Sequence, residues 1–222
     1  MSSQLKLGYW KIRGLAEPIR MLLHYAGIEY EEIVYEQGDA PGFDKSVWFD
    51  VKFTLGLDFP NLPYLIDGDV KLTQTISILH YLCAKTGLFP KSSNPADISR
   101  FDMMDHVIMD FFLLNVRLCY SPPDIFKANR SSVIENGKVF MKQFSEALGN
   151  SDFFAGENVT GTDFFMFEAI DRFVKLDSSF IEHDNLKKFM ERIRGLPQLK
   201  KYFSSPDSTY CWALNNKHAT FR

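Results

Sequence analysis

The stretch QLKLGYWKIRGLAEPIRMLLHYAGIEYEEIVY, residues 4–35, decides how the chain folds. QLKLGYW alternates and reads as a strand, broken at Arg13-Gly14. LAEPIRMLLHYAG follows as a helix, because Pro18 is tolerated in a first turn and Gly27 supplies a C-terminal stop. Ile19, Leu22, Leu23 and Ala26 fall at i, i+3, i+4 and i+7, which predicts one buried helix face. EYEEIVY alternates again as a second strand. The result is a βαβ unit, whose two strands are expected to be parallel with a right-handed crossover.

Toward the C-terminus, an irregular stretch runs from Glu36 to Pro60, punctuated by Gly38, Pro41, Gly42 and Gly56. Loops of this length inside a compact domain are uncommon and usually functional. NLPYLI and VKLT then flank Asp67-Gly68-Asp69, a hairpin signal. QTISILHYLCAKTG reads as a helix with Thr75, Ile78, Leu79 and Leu82 at helical spacing. The order βαβ–loop–ββα predicts an α/β thioredoxin-like N-terminal domain over residues 1–86.

GLFPKSSNPA, residues 87–96, is rich in Gly, Pro and Ser and predicts a linker. Beyond it the strand patterns disappear, so residues 97–222 are expected to form an all-α C-terminal domain. Phe101, Met104, Ile108, Phe111, Phe112 and Val116 keep helical spacing. Thr160-Gly-Thr-Asp163 resembles a capping box, with Asp in the place of Glu or Gln, ahead of a face of Met166, Ala169, Ile170 and Phe173. Leu186, Phe189, Met190 and Ile193 mark a further helix, stopped by Gly195 and Pro197.

Composition narrows the function classes. The 222 residues suit one large domain or two modest ones, and 21 of them are Phe, enough for a large core with some surplus for an interface or apolar pocket. A net charge of −3, from 25 basic and 28 acidic residues well mixed, gives no broad field for a nucleic acid. Cys83, Cys119 and Cys211 form no CxxC pair, so neither a disulfide framework nor a redox dithiol is expected. The opening MSSQLKLGYWKIRG has no apolar run of signal-peptide length, and the sequons at Asn129 and Asn158 then read as chance matches. No run approaches the ~20 apolar residues that span a bilayer. The expected compartment is the cytoplasm, with no membrane or nucleic-acid partner.

His24, His80, His106, His183 and His218 lack mutual spacings of three or four, so no metal site is readable. GxSxG, P-loop and GxGxxG patterns are absent. A thioredoxin-like unit without CxxC needs another chemistry. Tyr9 is placed for one, since it ends the first strand just before a helix, where open α/β sheets bind ligands. Otherwise it is a half-buried strand aromatic.

Leu7-Gly-Tyr-Trp-Lys-Ile-Arg-Gly-Leu-Ala16, Gly56-Leu-Asp-Phe-Pro-Asn-Leu-Pro-Tyr64 and Leu72-Thr-Gln-Thr75 resemble the mu class of cytosolic glutathione transferases. The loop from Gly38-Asp-Ala-Pro41 through Trp48 to Lys52-Phe53 is similar to the longer loop of that class. The likeness is strongest from Leu5 to Leu82, looser through Cys119-Tyr120 to about Phe203, and poor over the last twenty or so residues. It implies a homodimer that conjugates glutathione to hydrophobic electrophiles in detoxification. Glutathione would be a co-substrate, with no metal or prosthetic group. Alternatives on the same fold are a non-catalytic apolar-ligand-binding protein, a structural protein, or glutathione-dependent isomerisation or peroxide reduction.

The resemblance makes Tyr9 the catalytic residue, donating a hydrogen bond to the glutathione sulfur. A thiol with a pKa of ~8.5 needs about 2.7 kcal/mol of differential stabilisation to fall by about two units, within reach of one or two charge-assisted hydrogen bonds. Gln74 and Thr75 would hold the γ-glutamyl carboxylate at a helix N-terminus, although simple capping explains them too. Asn61, Leu62 and a cis Pro63 would present Leu62 backbone groups to the cysteinyl unit. Lys45, Trp48 and Lys52 would grip the glycine carboxylate, while Trp10 and Leu15 line the site; Trp48 alternatively packs for stability. Lys45 stands where the pattern has Arg, Thr75 where it has Ser, and Lys11 where it has Asp; Lys keeps the charge but loses the bidentate fork.

Asp110 lies in the apolar stretch Val107-Ile-Met-Asp-Phe-Phe112 and is expected to need a partner. The resemblance sends it across a subunit boundary to the glutathione ammonium; otherwise it is a solvated helix-face acid. Phe59 would be an aromatic key in the partner subunit, or else ordinary loop packing. Tyr120 would face the electrophile, or else is a helix-end aromatic.

Overall fold

The computed structural model describes residues 4–222. The expected βαβ unit is present: β1 (Leu5–Trp10) and β2 (Tyr30–Tyr35) run parallel, in register from Leu5–Tyr30 to Trp10–Tyr35, joined through α1 (Glu17–Tyr25). β3 (Tyr64–Asp67) lies antiparallel to β1 and forms a hairpin with β4 (Val70–Thr73), giving the order β2-β1-β3-β4. The 36–60 stretch is irregular apart from the single-turn α2 (Ser46–Phe49). α3 (Thr75–Thr86) closes this thioredoxin-like half and ends at Gly87, whose φ of 72° suits a residue without a Cβ.

The helical half begins two residues earlier than expected. Asn94 accepts from Ala96 N at 3.0 Å and caps α4 (Pro95–Cys119), with Pro95 in the first turn where no N–H is needed. α5 (Pro123–Leu148), α6 (Gly161–Leu176), α7 (Asp184–Arg194) and the short α8 (Lys200–Ser204) follow. The box before α6 forms as read: Asp163 accepts from Thr160 N at 2.8 Å, and its other oxygen takes Phe154 N at 2.9 Å. No described helix is long and apolar enough to cross a membrane.

Two expectations need correction. α1 was expected to bury a single face, yet Glu17 and Arg20 are also buried, because Arg20 pairs with Glu17 at 3.2 Å and with Glu32 of β2 at 2.7 Å. α6 likewise buries every residue from Gly161 to Phe173, since it runs between α1 and α4 at the centre of the molecule. Many of the Phe residues go into the helical core, where Phe111 stacks on Phe173 at 4.4 Å and Phe173 on Phe180 at 4.5 Å, while Phe49, Phe53 and Phe59 stand exposed. Such pairs contribute about 0.5–1.5 kcal/mol each beyond their area.

Candidate functional site

β1 carries Tyr9 to the sheet's end, and the chain turns there through Gly14 at φ 46°. A Cβ on Gly14 would sit 2.6 Å from the Tyr9 hydroxyl, so only glycine lets the backbone pass beside the phenol. Leu15 N donates to the Tyr9 oxygen at 3.0 Å. That bond occupies an acceptor lone pair and leaves the phenolic proton free to donate elsewhere. Burial pushes the Tyr9 pKa up to about 12, against the pull of the Leu15 N–H and of the charges on Arg172 and Arg20. Tyr9 therefore stays protonated near neutral pH. It is built as a hydrogen-bond donor toward an anion, not as a base.

Leu15 also ties this turn to α3, because its carbonyl accepts from the Thr75 hydroxyl at 3.0 Å. The Thr75 hydroxyl proton is thus used inside the protein, and the α3 N-terminus offers backbone N–H groups. Gln74 precedes it with φ 73°, a positive value that is uncommon outside glycine, and its side chain is exposed. The Leu62–Pro63 bond is cis, as expected, but Leu62 N is already donated to Asn61 Oδ1 at 2.9 Å. A ligand using that N–H has to displace the Asn61 side chain.

Lys45, Trp48 and Lys52 share one side of α2 and the turn after it, linked by Trp48 N to Lys45 O at 3.0 Å and Lys52 N to Trp48 O at 2.9 Å. Trp48 is only 4% exposed; it stands edge-on to Tyr35 at 5.2 Å and stacks near Tyr64 at 6.1 Å. The packing alternative for its ring holds. Trp10 meets Tyr35 edge-on at 6.3 Å on the same sheet face. Among the described residues neither Lys45 nor Lys52 makes an ion pair, and the Lys52 ammonium lies 5.3 Å from the Phe53 ring. Two half-buried cations beside an aromatic floor suit a carboxylate.

Tyr120 ends α4, half-buried, and its hydroxyl accepts from Asn216 N at 2.8 Å. Its ring lies 4.9 Å from that of His218. Asp110 is exposed on α4. Phe59 is 78% exposed, and its carbonyl is held by the Thr73 hydroxyl at 2.9 Å. Both residues therefore stand on open surface. Lys11 is also exposed and pairs with Glu36 at 2.9 Å.

The part that went unread is the tail after α8. Ala213 O accepts from Arg13 N at 2.9 Å, and Leu214 O and Asn215 Oδ1 accept from Arg172 at 3.1 and 2.6 Å. Lys217 bonds Glu36 and Asp39 at 3.3 and 2.7 Å, and His218 bonds Gln37 at 3.0 Å. The segment straps both halves together beside Tyr9 and Tyr120. Charged residues inside Phe-rich α6 (Glu168, Asp171, Arg172) were the available signal, since such groups are not buried without a reason. No group of three His, Cys, Asp or Glu able to hold a metal occurs among the described residues.

Comparison with known proteins agrees with this geometry. Residues 5–84 match the family "Glutathione S-transferase, N-terminal domain" and residues 109–206 match "Glutathione S-transferase, C-terminal domain". Glutathione S-transferase B of Cavia porcellus is 42% identical over 202 residues, 90% of this chain and 91% of the relative. Glutathione S-transferase Mu 5 of Rattus norvegicus is 41% identical over 219 residues, 98% of this chain and 95% of the relative. The crystal structure of the glutathione S-transferase Blo t 8 superposes with a TM-score of 0.87 at 32% identity, over 97% of this chain and 99% of that one. With relatives of that identity along nearly its whole length, the chain belongs to the glutathione S-transferase family.

Proposed function

We propose that this protein conjugates glutathione to hydrophobic electrophiles through a thiolate stabilised by Tyr9, and that it works as a cytoplasmic homodimer in detoxification. The carrying observation is the Tyr9 hydroxyl, held by Leu15 N–H at 3.0 Å with its proton kept by burial. Glutathione serves as co-substrate, with no metal or prosthetic group.

In this reading the α3 N-terminus at Gln74 and Thr75 receives the γ-glutamyl carboxylate. Lys45 and Lys52 beside Trp48 receive the glycine carboxylate, and Asn61 and Leu62 meet the cysteinyl unit, with Trp10 and Leu15 as lining. The thiolate attacks the electrophilic carbon, the new S–C bond forms, and the leaving group departs with the electron pair or an epoxide oxygen takes a proton. Tyr120 faces that side. Exposed Phe59, Met103 and Ile98 supply apolar surface that a second copy would cover, with Asp110 on the same helix as the last two.

The test is turnover of glutathione with an aryl halide by the parent and by Tyr9→Phe. The expected outcome is turnover by the parent and a loss of about 10–100-fold in kcat with glutathione affinity kept, because one contact to the thiolate vanishes, about 1.4–2.7 kcal/mol. A parent that binds glutathione without turnover would move the protein to the non-catalytic alternatives.

A further inference from the structure

Three arginines are buried beside Tyr9, and two are matched by carboxylates. Arg13 pairs with Glu168 and with Asp171 at 2.8 Å, and Arg20 pairs with Glu17 and Glu32. Arg172 on α6 is different. It is fully buried, yet no carboxylate oxygen among the described residues lies within 4.0 Å of its guanidinium. Its partners are neutral: Leu214 O at 3.1 Å, Asn215 Oδ1 at 2.6 Å and the face of Phe112 at 4.5 Å. Its Nε, like Nε and Nη1 of Arg13, has no partner among the described residues. An unpaired charge at zero exposure is costly and persists where something offsets it.

The strap locates this charge. Ala213 O is held by Arg13 N just past the Tyr9 strand, Leu214 and Asn215 by Arg172, and Asn216 N by the Tyr120 hydroxyl. Arg172 thus bonds the tail between the two tyrosines. The ionisable groups around it are Tyr9 from β1, Cys119 and Tyr120 from α4, Arg13 from the turn after β1, and Glu168 on its own helix. Glu168 is taken by Arg13, and Asp171 by Arg13, by Arg194 at 2.8 Å and by the Tyr210 hydroxyl at 3.2 Å. Glu168 lies near enough to attract the Arg172 charge, but its ion pair goes to Arg13, and among the described residues no carboxylate pairs directly with Arg172.

We infer that Arg172 is a positioning residue whose positive charge, held directly only by neutral partners, stabilises the glutathione thiolate formed at Tyr9, while its hydrogen bonds hold the tail that presents Asn216 to Tyr120. This rests on the reading of Tyr9 as the thiolate's donor. Arg172 touches neither sulfur nor electrophile; it acts through space, lowering the thiol pKa as any nearby cation does. The same charge favours ionised Tyr9, but burial disfavours it more, so the phenol keeps its proton.

The experiment is ultraviolet titration of the thiolate of glutathione bound to the full-length protein. Arg172→Gln is expected to raise the bound thiol pKa by about one unit, and Arg172→Lys to restore it. Asn215→Asp supplies a carboxylate to the guanidinium in nearly the same shape, so it neutralises the charge without opening a cavity. It is expected to raise the pKa as Arg172→Gln does, and it decides the matter even where Arg172→Gln fails to fold. Asn215→Ala removes the acceptor and leaves the charge, so the pKa is expected to stay at the parental value. An unmoved pKa in Asn215→Asp, or an equal shift in Asn215→Ala, would overturn the inference and leave Arg172 a tail clamp. Tyr9→Phe, titrated in parallel, separates the two readings: if it moves the pKa and Asn215→Asp does not, only the role of Arg172 falls.

Discussion

Leu15 shows how single residues assemble this site. Its N–H holds the Tyr9 oxygen and its carbonyl holds the Thr75 hydroxyl, so one residue sets the distance between the phenol and the α3 N-terminus. Thr75→Val keeps the volume and removes the hydroxyl, taking that donor from the part-buried Leu15 carbonyl. The expected cost is about 1–3 kcal/mol in denaturant unfolding, with Thr75→Ser close to the parent. The position of Tyr9 at the end of the first strand was legible from pattern, while Trp48, Gln74 and Thr75 were singled out by the family resemblance alone. Neither revealed that Thr75 spends its hydroxyl internally, since the partner lies sixty residues away. Arg172 escaped for the same reason: its partners are in a tail with no periodic pattern.

Elements with a wide apolar face were legible and the narrowest was not. α5 buries only Ile134, Gly137, Met141, Phe144 and Leu148, a one-residue-wide seam between long polar runs, and one of its five positions is a glycine. That glycine is there for contact: a Cβ on Gly137 would lie 2.9 Å from Phe173 and 3.0 Å from Phe180. Gly137→Val is therefore expected to destabilise by about 1–3 kcal/mol through overpacking. The exposed neighbour variant Val139→Ala should stay within about 0.5 kcal/mol by the same thermal unfolding measurement. Between α3, α4 and α6, His80 bonds Asp105 at 2.8 Å and Asp105 takes the Thr162 hydroxyl at 2.7 Å. The bond to Asp105 raises the His80 pKa above its ordinary value. A folded-state pKa above the unfolded one contributes stability that is full below about pH 6.5 and lost as pH rises through the folded value. His80→Gln should thus lower the melting temperature near pH 6 and lose most of that effect near pH 9. An equal deficit at both pH values would assign His80 a packing role.

At the scale of the whole molecule, the site is closed by chain from both halves, and by a second copy under the proposed dimer. Phe59 stands 78% exposed, so truncating it costs little within one chain. Phe59→Ala is expected to weaken a dimer by about 2 kcal/mol or more, seen as monomer at higher protein concentration in sedimentation. Asp110→Asn should lower glutathione affinity by roughly 1.5–3 kcal/mol if its carboxylate reaches the ammonium in the partner's site. A mixed dimer with Tyr9→Phe on one chain and Asp110→Asn on the other then keeps one intact site, because both lesions fall together in the other. Stable mixed dimers with no fully competent site would place Asp110 in its own chain's site. All of this presupposes that Tyr9 ionises glutathione, and the most direct measurement is the ultraviolet titration of bound thiol in the parent and in Tyr9→Phe. The expected result is a parental pKa about two units below the ~8.5 of a free thiol, rising by one or two units when the hydroxyl is removed. Superimposable titration curves for the two proteins would contradict it.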